Sequence, residues 1–108
     1  MANAYKILGQ VADASGMDEE LYLATGVEAI VSTIVVCNRE AAANTFRIAT
    51  KSDNSAVADT DYVAYDTSIA ANDTITLTLG ITLEIGAEIS VGASDANVTF
   101  QAYGTEIS

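Results

Sequence analysis

The chain has 108 residues, with fifteen Asp and Glu against four Lys and Arg and no His, for a formal net charge of −11. That balance argues against nucleic-acid binding, which relies on Lys and Arg to neutralise phosphates, and against docking on anionic membranes. Half of the residues are apolar, too many for a disordered acidic tail, and the length suits one domain, residues 1–108, with a single core. The lone Cys37 excludes an intrachain disulfide. No apolar run approaches the roughly 20 residues of a membrane helix. Met1–Gly9 holds one Lys and no apolar core segment, so no secretory signal is expected there.

In chain order, Ala4–Val11 alternates through Tyr5 and Ile7 and predicts a first strand. Ala12–Glu20, with the acidic cluster Asp18, Glu19 and Glu20, predicts a loop, and Leu21–Thr25 a second short strand stopped at Gly26. Val27–Arg39 is the most apolar segment and rich in β-branched residues, which predicts a central strand covered on both faces. Ala41–Asn44 reads as a loop or one helical turn. Thr45–Lys51 places Phe46, Ile48 and Thr50 on one face and Arg47 and Lys51 on the other. Ser52–Asp61 is a polar loop, Tyr62–Asp66 a short aromatic strand, and Thr67–Asn72 a connection.

From Asp73 to Ala93 the period is two without interruption, apolar at Ile75, Leu77, Leu79, Ile81, Leu83 and onward, with Thr, Gly, Glu and Ser between. Alternation of this kind marks half-buried β-structure. The run exceeds one strand's usual length, so Gly80 and Gly86 are read as breaks. The expectation is a strand over 73–79, an irregular step at 80–83, a turn at Glu84–Gly86 and a returning strand at 87–93. Asp95–Asn97 is a tight turn, Val98–Gly104 a last strand with Val98, Phe100 and Ala102 inward, and Thr105–Ser108 a tail. The fold class predicted is an all-β antiparallel sandwich, jelly-roll or immunoglobulin-like, of about eight strands.

Chemistry finds little to work with. Without His, Ser–His and Cys–His nucleophile systems are impossible. Cys37 reads as a small buried side chain in an apolar strand. The carboxylate pairs Glu19/Glu20, Asp59/Asp61 and Glu84/Glu88 read as solvated faces in loops. Asp53, Asn54, Asp59 and Asp61 share one loop, but the ordered spacing of an EF-hand is missing, so an ordinary Asx-turn loop is preferred to a Ca²⁺ site. No cofactor and no metal are expected. Arg39, Arg47 and Lys51 are expected to pair with carboxylates of a neighbouring subunit or to lie along the surface.

The segments Tyr5–Gln10, Leu21-Tyr22, Val31–Arg39, Thr45–Ala49, Tyr62–Asp66, Ala70–Leu83 and Phe100–Ile107 together resemble a family of small virion structural proteins of tailed bacteriophages, of the marine and cyanobacterial phage type. The resemblance covers most of the chain. It departs at Leu23-Ala24-Thr25, where a proline is expected, and in the acidic Ser52–Asp61 loop. It implies a non-enzymatic particle component located in the virion.

Three functions follow as expectations. The first is a capsid decoration or cement protein, homo-oligomeric or bound to the major capsid protein, with no nucleic acid or membrane partner. The second is a tail or fibre module contacting host surface glycans, with Tyr62, Tyr65 and Tyr103 as a stacking surface, against the plainer reading of these tyrosines as half-buried strand residues. The third, a small enzyme, fits poorly without histidine. The residues expected to contact a partner are Tyr5, Ile7, Arg39, Arg47, Tyr62 and Tyr65, with the N-terminal strand and the Thr105–Ser108 tail as the segments most free to add to another subunit's sheet.

Overall fold

The computed structural model describes residues 3–16, 18–53 and 56–107. Its strands are β1 (Asn3–Val11), β2 (Glu19–Leu23), β3 (Glu28–Asn38), β4 (Asn44–Lys51), β5 (Tyr62–Ile69), β6 (Thr74–Leu83), β7 (Glu88–Ala93) and β8 (Val98–Ile107), with one 3-10 turn at Asp59–Asp61 before β5. Their antiparallel pairings nest: β4 with β5, β3 with β6, β2 with β7 and β1 with β8. The chain is thus one long hairpin, folded at the β4–β5 connection and rolled up. Two further pairings, β3 with β8 and β4 with β7, close it into sheets of order β1-β8-β3-β6 and β2-β7-β4-β5. Eight strands so rolled into two sheets form a jelly roll, and this decides between the two sandwiches the sequence allows.

Between the sheets lies a core of alternating inward residues. Ile34, Val36 and Phe100 of the first sheet meet Phe46, Ile48 and Ile89 of the second, all fully buried. Phe46 and Phe100 make an edge-to-face contact, 6.2 Å between centroids, across the sandwich.

Several expectations change. β3 is central in its sheet but covered on one face only: Ala29, Val31, Ile34, Val36 and Asn38 are buried, while Ile30, Val35 and Cys37 look outward. Its apolar run reflects an outer face that is itself unusually apolar. Thr74, Thr76 and Thr78 are exposed, and Ile75 and Leu77 pack on the core. Leu79, however, is 44% exposed, because β6 is an edge strand and steps irregularly there against β3, with Gly80 at φ +63°. The strand after Glu84–Gly86 does not return beside β6. It crosses into the other sheet, so both strands can turn the same apolar parity toward one core. β5 runs on to Ile69, and Thr105–Ile107 belong to β8. The tail is therefore not free to join a neighbour, since it is paired on both sides with β1 and β3. Residues 41–44 form no helix.

Candidate interaction surfaces

Registers place the outward side chains of the first sheet in rows. One row runs Tyr5, Thr105, Ile30, Thr82 across β1, β8, β3 and β6; the next runs Ile7, Tyr103, Thr33, Thr78. Then come Gln10, Gln101, Val35 and Thr76, and last Thr99, Cys37 and Thr74. None of these side chains is charged. Tyr5 is 81% exposed, Ile7 52% and Ile30 40%, side by side at one end of the face. β1 closes its own sheet as an edge strand, and the Tyr5 and Ile7 side chains stand out from it. Exposed apolar side chains grouped on one face mark an interaction site more often than scattered ones.

The charges lie elsewhere. Lys6 Nζ is 2.9 Å from Glu106 Oε1, and the Tyr22 hydroxyl donates to Glu106 Oε2 at 2.5 Å, a cluster on the inward side of the sheet. The Tyr22 and Lys6 hydrogen bonds hold the Glu106 carboxyl below its ordinary pKa, and burial together with Glu106 raises that of Tyr22. Lys51 Nζ lies 3.6 Å from both Glu88 and Asp18, with Glu88 also accepting from the Ser90 hydroxyl at 2.8 Å. Lys51 and Glu88 are nearly buried on the outer side of the second sheet, so neither is a surface charge waiting for a subunit.

At the β3 end of the sandwich, Asn38 and Arg39 tie four loops together. Asn38 Nδ2 donates to the carbonyls of Ala42 at 2.8 Å and Ala70 at 3.1 Å, and its Oδ1 accepts from Glu40 N and Asn44 Nδ2, both at 3.1 Å. The Arg39 guanidinium donates to Thr99 Oγ1 at 2.7 Å and to the carbonyls of Ala12 at 3.0 Å and Ala96 at 3.3 Å. All three acceptors are neutral, the Asp13 carboxylate is near enough to interact electrostatically with the guanidinium, and Arg39 stays exposed at the margin of the uncharged face.

The second sheet brings Arg47, Tyr62 and Tyr65 together. Arg47 Nε donates to Asp66 at 2.6 Å, a second bond of 3.2 Å makes the pair bidentate, and the guanidinium carbon sits 4.2 Å from the centre of the Tyr65 ring. Those bonds lower the Asp66 pKa and raise that of Arg47. Tyr62 meets Tyr65 edge-on at 4.8 Å. The bulge that permits this has Asp66 at φ +48°, at a register shift between β4 and β5. Tyr103 is on the opposite sheet, so the three-tyrosine stacking surface does not assemble, and Arg47 already occupies one face of Tyr65.

In the Ser52–Asp61 loop, Asn54 lies outside the described residues. Asp61 caps a local turn, accepting from Ala58 N at 2.9 Å. Among the described residues no three acidic or thiol side chains converge as a metal site would require.

No protein-family model matches the chain, and no curated protein is significantly similar to it. Among solved structures it is similar to a pentameric capsid protein isolated from metagenomic phage sequences, with a TM-score of 0.40 and 13% identity over 96% of this chain and 64% of that one. It is similar also to a chain in the structure of infectious bursal disease virus, Gx strain, with a TM-score of 0.40 and 12% identity over 98% of this chain and 26% of that one. The chain therefore spans less than two thirds of either neighbour.

Proposed function

We propose that this chain is a non-enzymatic structural protein of a tailed-phage particle that decorates the capsid shell. The observation that carries the reading is the uncharged, partly apolar outer face of the β1-β8-β3-β6 sheet on a chain whose formal net charge is −11. A chain so acidic keeps the rows across this sheet face free of charge, with charges only at its margin, at a cost in solubility, which makes sense for a surface made to be covered. The sequence resemblance to small phage virion proteins and the jelly-roll strand order agree with this reading, although a fold alone never fixes a function.

In this reading the outer face of the first sheet, with Tyr5, Ile7 and Arg39 on or beside it, joins subunits. The free edge of the second sheet at β5 meets the major capsid protein through Arg47, Tyr62 and Tyr65. Tyr65 is 57% exposed there, and its pairing with Arg47 presents a preformed, rigid contact at low entropic cost. The glycan-binding tail module has less support, because the stacking platform it needs is split between opposite faces.

Gold-labelled antibody against the chain, applied to purified particles, tests the proposal. Label at repeated sites over the shell is expected. Label confined to the tail, or particles without the protein, would overturn it.

A further inference from the structure

The uncharged face has charges only at its margin, and their placement is specific. Glu28 opens β3 and, being adjacent to the inward Ala29, points to the outer side opposite Ile107. Arg39 follows the last residue of β3 and lies against outward Thr99. One strand in the middle of the face thus has an exposed anion at one end and an exposed cation at the other, with Thr33 near its midpoint.

We propose that this face docks on the same face of a second copy of the chain, about a twofold axis lying in the interface and perpendicular to the strands. That operation lays β3 antiparallel over β3 of the second copy. It brings the Glu28 end of each copy to the Arg39 end of the other, twice per dimer, and sets the two Thr33 side chains near the axis. The closed, isologous contact follows from self-complementarity. Face-to-face sheet packing at about 30° is the ordinary way for two sheets to bury each other.

Two further arguments select a second copy over another occupant. Two chains of the same strong negative charge repel through most of their surfaces, and this face is where they meet with the least repulsion. The size also fits. Four strands spaced about 4.8 Å apart and about ten residues long give a footprint of roughly 600 Å² before side-chain relief. That approaches the ~800 Å² per partner of a stable interface. The proposal rests on the reading of the chain as an assembly component, not on its place in a particle, and its test needs no virion.

Sedimentation of the full chain over a range of concentrations is the measurement, with a thermal melt confirming that each variant is folded. The wild type is expected to dimerise. Thr33→Asp, which sets two like charges at the axis, is expected to leave it monomeric. Glu28→Arg and Arg39→Glu are each expected to weaken the dimer about tenfold, because two symmetry-related attractions become repulsions, and the double reversal is expected to restore it. Arg39→Glu also loses loop hydrogen bonds, so if that chain fails to fold, Glu28→Arg and Thr33→Asp decide alone. A wild type that stays monomeric into the hundreds of micromolar would overturn the proposal. So would an oligomer of any size that persists unchanged in Thr33→Asp and Glu28→Arg.

Discussion

Asn38 shows how much one side chain carries. It is buried, and both its amide donor and its carbonyl acceptor are spent on the loops before β4 and before β6. Replacing it with Leu takes the protein partner from those backbone groups, at about 1–3 kcal/mol for each one that water does not reach. Asn38→Leu is therefore expected to cost about 3 kcal/mol in urea unfolding, and Asn38→Asp a similar amount, because a carboxylate cannot donate to the carbonyls of Ala42 and Ala70. In the sequence Asn38 is legible only as the end of an apolar strand. Its partner at residue 70 is too distant along the chain for any local pattern to reveal. Glu106 carries a pH signature instead. Its carboxyl is held below its ordinary pKa by the Tyr22 and Lys6 bonds. A carboxyl with a depressed folded-state pKa contributes stability that is present above its unfolded value, near 4.5, and is lost as the pH falls through the folded value. Glu106→Gln is expected to lower stability at pH 7 and to flatten the decline in melting temperature below about pH 4.5. A variant whose acid-side decline matches the wild type would show that the cluster contributes nothing.

At the scale of elements, the strands were legible wherever one face is polar. β4 and β8 show clean alternation, and Phe46, Ile48, Phe100 and Ala102 are inward as their pattern requires. β3 misled because its outer face is apolar, and a period of two disappears when both faces use Val, Ile and Ala. The close approach of β1 to β2, strands of opposite sheets, was not legible at all. A Cβ built on Gly9 would lie 1.8 Å from the carbonyl oxygen of Leu21, so the two backbones touch where only glycine fits. Gly9→Ala must push the sheets apart and is expected to cost about 3 kcal/mol, at the upper end of overpacking effects. The contrast is Gly80→Ala. There nothing lies within 4 Å of the added methyl, and only the positive φ costs, about 1 kcal/mol. The edge strand itself is open to the same reasoning. β1 is paired with β8 along its length, with Leu8 and Val11 packed on the core. Deleting residues 1–8 is accordingly expected to lower the melting temperature by more than about 10 °C, since losing roughly 2–3 kcal/mol moves a domain of this size by that much. A truncated chain that melts like the wild type would make β1 a detachable arm instead.

For the whole molecule, the nested pairing is the property the sequence conceals best. Strand count and sandwich class emerge from spacing, but the pairing of β1 with β8 joins the two ends of the chain, and no local preference encodes it. What selects the roll is the single core: each strand's apolar side can be buried only when the two sheets face each other. Charge acts at the same scale. Fifteen acidic residues against four basic ones are held within a body whose Cα radius of gyration is 13.3 Å, and compaction of like charge opposes folding. The ion pairs work in the other direction. Lys6 with Glu106 and Arg47 with Asp66 are partly solvent-exposed and contribute modestly. Lys51 with Glu88 is sheltered and nearly immune to screening. Salt therefore removes more repulsion than attraction. Raising NaCl from about 0.01 M to about 0.5 M shrinks the screening length from roughly 30 Å to about 4 Å, and at pH 7 the melting temperature is expected to rise by several degrees. The same titration near the isoelectric point of about 4.1 should show little gain, because the repulsion is already gone. A fall in melting temperature with salt at pH 7 would mean that the surface pairs outweigh the net charge, and that the uncharged face gives no relief from repulsion.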